Sequence, residues 1–229
     1  MYDIVFISYM ESNAETNWLS LNKRFPRAKR LHGIRGIHQA HIVAAHMVQT
    51  ELFYCVDGDA VIDSNFAFDY VVDNDKMDHV HVFRARNPIN DLIYGYGAVK
   101  LLPTADVRRL NERDFKTDMT TSINRRYAVV HQLSNVTAFN TDEFNTWRSA
   151  FRECAKLSSR VIPGQIDGET ASRLETWCTT GGDRLYGQWS IYGALDGRQY
   201  GWDNANDQEK MFLVNDMEWL RDRFMGHGR

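Results

Sequence analysis

The segment LFYCVDGDAVID spans residues 52–63 and carries the strongest structural signal of the sequence. Its first five residues are an apolar run, which is the pattern of a strand buried on both faces of a sheet. Asp57 and Asp59 follow this run one residue apart, and Gly58 between them allows the backbone to turn closely around a ligand. Because open α/β sheets bind ligands at the carboxyl ends of their strands, the segment predicts two carboxylates at a binding edge.

The elements before this segment support an α/β fold. Residues 3–9 form an apolar run that predicts a first strand, and residues 18–25 have a helical spacing that Pro26 ends. Residues 28–31 predict a short second strand, and residues 38–50 predict a helix with one apolar face. The order strand, helix, strand, helix, strand predicts a sheet flanked by helices.

The elements after the segment continue this pattern. Residues 79–85 alternate as a strand does, and residues 93–102 form another strand-like stretch that contains two glycines. Residues 141–157 predict a helix capped by its first threonine, and residues 207–224 predict the last helix. Residues 164–201 are rich in Gly, Trp and Tyr and give few periodic cues. No repeat and no long Pro/Gly linker divides the chain, so we expect a single domain.

The composition is that of an ordinary globular protein. Of the 229 residues, 43% are hydrophobic and 25% are charged, which excludes collagen-like, disordered and coiled-coil classes. The three cysteines form no C-x-x-C pair, which argues against a zinc ribbon and favours a reducing compartment. The sequence shows no signal-peptide pattern and no apolar stretch near the ~18 residues of a membrane span. We therefore expect a cytoplasmic protein without a membrane partner.

The charges are distributed unevenly although the net charge is only -3. Residues 16–50 contain no acidic residue, whereas residues 55–78 contain seven aspartates and a single lysine. A basic block beside an acidic one is typical of a site for a phosphate ligand and a divalent cation, and equally of two solvated surfaces. The positive residues of the basic block are Lys23, Arg24, Arg27, Lys29, Arg30 and Arg35.

The paired carboxylates predict a metal site. Asp57 and Asp59 repel each other unless a cation lies between them, and their hard oxygen ligands suit Mg²⁺ or Mn²⁺. Arg35 precedes a predicted helix, so its guanidinium and the first backbone N–H groups of that helix could both approach a phosphate. Tyr9 and Glu11 follow the first predicted strand, in the place where a nucleoside would rest. An ordinary surface arginine and a core tyrosine are the alternative interpretations.

Two further aspartates are candidates for proton transfer. Asp91 follows the polar residues Arg84 and Arg86, and it could orient a sugar hydroxyl or accept a proton from an acceptor. Asp118 is a rival candidate for the base. A polar hairpin loop is the alternative interpretation of the segment around Asp91.

The histidines of the basic block do not predict a metal site by themselves. The spacing of His38, His41 and His46 matches no standard ligand motif, and no acidic residue lies among them. We therefore do not expect zinc at these three residues on sequence grounds.

Parts of the sequence resemble a known enzyme family. The N-terminal DIVFISYM, the basic segment with Arg35, the helix from His38 and the string YCVDGDAVI resemble the nucleotide-binding half of a GT-A glycosyltransferase. The strings FRARNPINDLIYGYGAVKLLP and FNTDEFNTWRSAFRECAKL are similar to small glycosyltransferase-like proteins of tailed bacteriophages. The resemblance extends from Tyr2 to about Lys156, and it implies a GT-A-like, Rossmann-like mixed sheet flanked by helices.

The resemblance also implies how the chain is organised. Residues 1–229 would form one glycosyltransferase domain. Residues 1–105 would bind the nucleotide sugar and the metal. Residues 106–229 would form the acceptor side and a C-terminal helical part.

In this family the D-x-D motif holds a divalent metal and the diphosphate of a nucleotide sugar, which implies a UDP-sugar with Mn²⁺ or Mg²⁺ here. The family pattern implies that Asp59 is the direct metal ligand. Asp57 would contact the ribose or bind the metal through water, next to Gly58. The third ligand of the family is a late His or Asp, for which His131 and His227 are the candidates.

The resemblance implies a hexosyl- or pentosyltransferase, and the phage-like strings suggest an acceptor. That acceptor is the hydroxyl of a hydroxymethylated pyrimidine in DNA. An enzyme must flip such a base out of the duplex to reach it, and the reaction would take place in the host cytoplasm. Basic residues would hold the acceptor phosphates, so binding would weaken with salt. The candidate acceptor contacts are Arg27, Arg30, Arg84, Arg86, Arg125 and Arg126.

Two other functions use the same sequence features. Haloacid-dehalogenase-like phosphatases also place D-x-D after an apolar strand, but that strand usually opens their fold, and here more than fifty residues precede it. A non-catalytic protein that binds carbohydrate or nucleic acid on a degenerate transferase fold is the second alternative. Such a non-catalytic protein would not hydrolyse a nucleotide sugar in a metal-dependent way.

Overall fold

The structure, a computed structural model, describes residues 1–95 and 97–226. The chain forms two compact units, each assembled from more than one stretch of sequence. The first unit contains Met1–Asn87, Ile93–Phe115 and Ser122–Ala138, and the second contains Pro88–Leu92, Lys116–Thr121 and the chain from Phe139 onward.

The first unit is built on a mixed sheet of eight strands among the described residues, in the order β2-β1-β3-β7-β5-β8-β4, with β6 paired to β5. β7 runs antiparallel to both of its neighbours, whereas the pairs β1–β2, β1–β3 and β5–β8 are parallel. The strands are β1 (Asp3–Ser8), β2 (Lys29–His32), β3 (Leu52–Asp57), β4 (Ala60–Ile62), β5 (Val80–Arg86), β6 (Ile93–Tyr94), β7 (Val99–Pro103) and β8 (Tyr127–Thr137).

These directions define two edges of the sheet. Because β7 is antiparallel to both β3 and β5, the strands β1, β2, β3, β5 and β8 all point the same way. We call the side where these five strands end the carboxyl edge, and the side where they begin the amino edge. Ligands of open α/β sheets bind at the carboxyl edge, so it is the place to look for a site.

Helices cover both faces of this sheet. The first unit contains α1 (Ala14–Arg24), α2 (Ile37–His46) and α3 (Thr104–Arg109), and α4 (Met119–Ile123) follows. Short 3₁₀ turns lie at Asn74–Lys76 and Glu112–Asp114 in the first unit and at Leu213–Asn215 in the second. The second unit contains α5 (Glu143–Ser159), α6 (Asp167–Thr179), α7 (Gly187–Asp203), α8 (Gln208–Phe212) and α9 (Met217–Gly226).

The alternation of β3 divides the core of the first unit into two layers. Leu52, Tyr54 and Val56 pack with Leu21 of α1 on one face of the sheet. On the other face, the side chains of Phe53 and Cys55 pack with α2 and α3. A strand buried on both faces explains the unbroken apolar run, and it leaves Asp57 as the first residue of β3 that is not buried.

The second unit is helical and has its own aromatic core. Trp147 and Phe151 of α5 are buried with Tyr200 of α7 and Leu220 of α9. One face of α7 consists of small residues that pack against α5. A Cβ atom at Gly193, Gly197 or Gly201 would lie under 3.0 Å from a backbone carbonyl oxygen of α5.

The predicted fold class is confirmed as an α/β fold with a mixed, curled sheet flanked by helices. The early strands and helices lie within a few residues of their predicted positions. Residues 93–102 form the two strands β6 and β7 instead of one, and β4 and β8 were not predicted. In the described part of the chain, no helix is long and apolar enough to cross a membrane.

The second unit departs further from the prediction. Residues 164–201, which give few periodic cues, contain α6 and α7. The helix predicted over 141–157 begins after Asp142 rather than Thr141, because the Asp142 carboxylate accepts the backbone N–H of Asn145 at 2.7 Å. The predicted last helix is interrupted at Asp216.

The interruption has a local cause. The Asp216 carboxylate accepts the backbone N–H groups of Glu218 at 2.9 Å and Trp219 at 3.1 Å. Hydrogen bonds of this kind cap the N-terminus of a helix, so they stabilise the start of α9. The sequence analysis instead predicts one uninterrupted helix over residues 207–224.

Candidate active site

The two aspartates of the D-x-D motif lie at the carboxyl edge, beside the end of β1. Asp57 closes β3 opposite Ile7 of β1, and Gly58 and Asp59 form the turn into β4. The Asp57 backbone N–H donates to the carbonyl of Ala98 at 2.8 Å. The carbonyl of Asp59 accepts the N–H of Ala138, also at 2.8 Å. Backbone hydrogen bonds therefore hold the turn at both ends while both carboxylates remain partly exposed.

Glycine is required at position 58 because the side chains of Glu11 and Ser8 occupy the space that a Cβ atom would need. A Cβ atom there would lie 2.7 Å from Glu11 Oε2 and 2.9 Å from the Ser8 Cβ. The Glu11 carboxylate accepts the backbone N–H of Tyr9 at 2.7 Å, and the buried Asn17 amide donates to the Gly58 carbonyl at 2.9 Å. The structure thus brings together Tyr9, Glu11 and Gly58, which the sequence predicts separately.

The end of β2 adds a residue that the sequence did not indicate. The Ser8 hydroxyl lies 2.9 Å from His32 Nδ1, so the ends of β1 and β2 are joined by side chains. Arg35 is exposed in the bend between β2 and α2, where the sequence predicts a phosphate contact. Gly36, which directly precedes α2, has φ +91°, a conformation that favours glycine. His32 belongs to no sequence motif, and only the pairing of β1 with β2 places it beside Ser8.

The donor atoms of the D-x-D motif fit a hard divalent cation. Mg²⁺ is commonly bound by one or two carboxylates together with substrate phosphates, so two protein ligands are enough. Asp57 Oδ2 lies 3.7 Å from Lys100 Nζ on the neighbouring strand β7. Lys100 therefore places a positive charge beside the Asp57 carboxylate. His131 is exposed on β8, and His227 lies outside the described residues.

A second set of possible ligand atoms lies behind Asp57. His41, Cys55 and Asp57 place one ligand atom each within 4.8 Å of one another, and no other group of three does so in the described residues. His41 and Cys55 are buried, at 3% and 1% exposure. Burial, with a smaller effect from the Asp57 charge, raises the pKa of the Cys55 thiol well above its usual range.

The predicted acceptor contacts divide between the two edges. Arg84 and the exposed Arg86 lie at the end of β5, at the carboxyl edge. The other four lie at or just before the beginning of a strand, at the amino edge: Arg27 and Arg30 at β2, and Arg125 and Arg126 at β8. Two of these four are held in ion pairs, Arg30 with Glu15 at 2.5 Å and Arg126 with Asp78.

The two candidate bases belong to the second unit and have different surroundings. Asp91 is exposed and has a left-handed backbone with φ +58°, and its Oδ2 lies 3.3 Å from Arg184 Nη2. Asp118 is only 13% exposed and lies 3.0 Å from Lys156 Nζ. Its Oδ1 also accepts the N–H groups of Thr120 and Thr121, so these contacts hold the start of α4 against α5. The base role stays a prediction for both residues.

The sequence matches no protein-family model, and no curated protein is significantly similar to it.

Proposed function

We propose that this protein is a metal-dependent glycosyltransferase of the GT-A type, which moves a sugar from a UDP-sugar to an acceptor hydroxyl. The observation that carries the proposal is the position of Asp57 and Asp59. They lie at the carboxyl end of an inner strand, beside Glu11 and the end of β1. A mixed sheet with helices on both faces and a D-x-D motif at this edge is what the family resemblance implies.

The residues at the carboxyl edge have complementary tasks in this proposal. Asp57 and Asp59 hold Mn²⁺ or Mg²⁺, which neutralises charge on the leaving diphosphate when it is bound. Arg35 and the N-terminus of α2 donate hydrogen bonds to the diphosphate. Tyr9 and Glu11 bind the nucleoside, because they line the same edge next to Gly58.

The proposed acceptor is the hydroxyl of a hydroxymethylated pyrimidine in DNA. Such a base must be flipped out of the duplex, and the flanking phosphates then need positive partners. Arg84 and Arg86 meet this requirement because they lie at the same edge as the D-x-D motif. This part of the proposal can fail while the transferase activity stands.

The test has two parts. The purified protein is incubated with a panel of nucleotide sugars, with Mn²⁺, with Mg²⁺ or with a chelator, and release of the nucleoside diphosphate is followed. We expect release that depends on the metal and is fastest with one UDP-sugar. The preferred donor is then offered to duplexes with cytosine or 5-hydroxymethylcytosine, and the nucleoside masses are measured.

Each result has a distinct meaning. No metal-dependent release with any donor contradicts the transferase proposal. Donor hydrolysis without a mass increase on the modified duplex contradicts the DNA acceptor alone. Release of inorganic phosphate from phosphomonoesters would instead favour the phosphatase interpretation of the D-x-D motif.

A further inference from the structure

The group formed by His41, Cys55 and Asp57 has the chemistry of a zinc site. It combines an imidazole, a thiol and a carboxylate, which are the three kinds of side chain that bind zinc in proteins. Cys55 and Asp57 are two residues apart on β3, so both side chains lie on one face of the strand. That face packs against α2, which carries His41.

The His41 ring is already oriented as in known zinc sites. Its Nδ1 lies 2.7 Å from the carbonyl oxygen of Ile37, so Nδ1–H donates and the lone pair is on Nε2. Nε2 faces Cys55 Sγ at 3.4 Å. Zinc-binding histidines are commonly fixed in this way, by donation from the second ring nitrogen to a carbonyl or carboxylate.

The distance between the two atoms matches a bridging ion. Zinc bonds of about 2.3 Å to sulfur and 2.0–2.1 Å to nitrogen, at a tetrahedral angle, separate the two atoms by about 3.6 Å. The observed 3.4 Å is within about 0.2 Å of this value. An ion could therefore replace the thiol proton between Sγ and Nε2 with almost no movement of β3 or α2.

We propose that His41, Cys55 and Asp57 form a zinc-binding site that shares Asp57 with the D-x-D motif. On binding, the Cys55 thiol releases its proton to solvent, the thiolate and the His41 nitrogen bind the ion, and no electron is transferred. Asp57 supplies the third ligand. Because its side chain is 41% exposed, the ion can enter the site from solvent past this residue. Water completes the four ligands.

Lys100 sets the strength of this site. Its ammonium lies 3.7 Å from Asp57 Oδ2, and its side chain is 18% exposed, so it competes with an incoming dication for the carboxylate. Replacing Lys100 with methionine removes the charge and keeps much of the apolar stem. We therefore expect Lys100→Met to bind zinc more tightly than the wild type does.

The site also has a consequence that rests on the proposed function. If Asp57 helps to hold the metal of the nucleotide sugar, zinc at His41 and Cys55 draws that carboxylate away. Zinc should then inhibit donor hydrolysis even when Mn²⁺ is present. The binding of zinc itself does not depend on the proposed function.

The test uses Co²⁺ as a spectroscopic probe and zinc titration calorimetry on the full chain. We expect the wild type to bind one zinc ion and to show a thiolate-to-cobalt charge-transfer band. Cys55→Ala and His41→Gln should each weaken zinc binding at least about tenfold and reduce that band. Cys178→Ala, which removes another buried cysteine, should leave both measurements unchanged.

Asp59→Asn separates the two proposals. It should retain zinc binding, because Asp59 is not in the group, even where it abolishes Mn²⁺-dependent donor hydrolysis. Absence of the charge-transfer band in the wild type overturns the zinc site, whatever the variants do. So does a band that disappears in Cys178→Ala and persists in Cys55→Ala, or weaker binding by Lys100→Met.

Discussion

At the scale of single residues, the two aspartates of the D-x-D motif differ in their surroundings. Asp57 ends a strand and faces Lys100, His41 and Cys55, whereas Asp59 lies in the turn that follows. Substituting Asp57 would therefore disturb several contacts at once. Asp59 lies outside the group of His41, Cys55 and Asp57, so its substitution tests the metal role of the D-x-D motif separately from that group.

If the proposed function is correct, Asp59→Asn should reduce metal-dependent donor hydrolysis at least about 100-fold, because the amide would not supply the negative charge needed to hold a metal against the diphosphate. The melting temperature should stay near that of the wild type. Asp75→Asn, at an exposed aspartate of the same acidic segment, is the matched control and should be fully active. Activity of Asp59→Asn within a few-fold of the wild type would remove the metal role from this residue.

Gly58 gives a second prediction at the same scale. In Gly58→Ala the new methyl group meets Glu11 Oε2 at 2.7 Å, so the carboxylate must move and its hydrogen bond to the Tyr9 N–H is lost. We expect the KM for the nucleotide sugar to rise about tenfold or more, since a displacement of about 1 Å can cost far more than that. Glu11→Ala removes this carboxylate but leaves the contact of the new methyl group with the Ser8 Cβ at 2.9 Å, so any rise in the KM of the double variant above that of Glu11→Ala alone reports the Ser8 contact. Unchanged KM in Gly58→Ala would separate Glu11 from nucleotide binding.

His81 predicts how stability depends on pH. It is buried on β5, its Nε2 lies 3.0 Å from the Lys76 carbonyl, and its Nδ1 has no hydrogen-bond partner among the described residues. Burial lowers the pKa of His81 below its usual value of 6.5 and outweighs the hydrogen bond to the Lys76 carbonyl, which raises it. The charges of His79 and Lys76 also lower this pKa, and the charge of Asp73 raises it. Because the unfolded chain then binds more protons, the free energy of unfolding should fall as pH falls through about 6.5.

The measurement is the free energy of unfolding at pH 7.5, 6.5 and 5.5. His81→Gln can still donate to the Lys76 carbonyl but cannot be protonated, so its stability should fall less than that of the wild type over this range. His131→Gln, at an exposed histidine of β8, should follow the wild type. If the free energy of unfolding falls equally with pH in the wild type and in His81→Gln, His81 makes no contribution to the pH dependence of stability.

At the scale of elements, the packing of α7 on α5 is the clearest departure from local sequence preference. Glycine disfavours a helix by about 1 kcal/mol relative to alanine, yet α7 contains Gly193, Gly197 and Gly201 four residues apart. All three are buried on one face, against the α5 backbone. The helix forms because packing at this short distance, which only glycine permits, outweighs the local preference.

Gly197→Ala should therefore destabilise the protein, although alanine is the better helix former. Its Cβ would lie under 3.0 Å from the Phe151 carbonyl, and overpacking of this kind costs about 1–3 kcal/mol. Gly168→Ala in α6 is the matched control, because a Cβ there meets nothing within 4 Å and should stabilise by about 0.4–1 kcal/mol. Denaturant unfolding measures both, and a Gly197→Ala variant as stable as the wild type or more stable would contradict the close packing of α7.

At the scale of the first unit as a whole, strand direction decides which basic residues share an edge with the D-x-D motif, where the proposed acceptor would bind. Residues at the end of β5 share the carboxyl edge with the D-x-D motif, and residues before β8 lie at the amino edge. The sequence cannot separate these two sets because both consist of arginines. The sheet separates them by the length of a strand.

If DNA is the acceptor, Arg86→Glu should raise the KM for a hydroxymethylated duplex and lower the salt slope of DNA binding by about one unit, because the proposed phosphate contact would be lost. Arg125→Glu, the same charge reversal at the amino edge, should change neither quantity. Both are measured by binding titrations at several salt concentrations and by initial rates. An equal effect of the two substitutions would place DNA elsewhere on the molecule.

The sequence by itself determined the fold class and the position of the D-x-D motif. The apolar run 52–56 predicts a strand buried on both faces, and the spacing of the preceding elements predicts α1 and α2 but not α3. These features are readable because they depend on residues that are close together in the chain. For the same reason, the sequence correctly placed Asp57, Gly58 and Asp59 at the end of an inner strand.

Only the tertiary structure decided which distant residues meet. It joined His41 of α2 to Cys55 of β3, brought Glu11 against Gly58, and assigned the predicted arginines to opposite edges. It also made a helix of the glycine-rich segment 187–203, where a packing partner overrides local preference. The physical reason is that strand order, strand direction and the close approach of two helices depend on contacts between residues far apart in the chain, which no local pattern records.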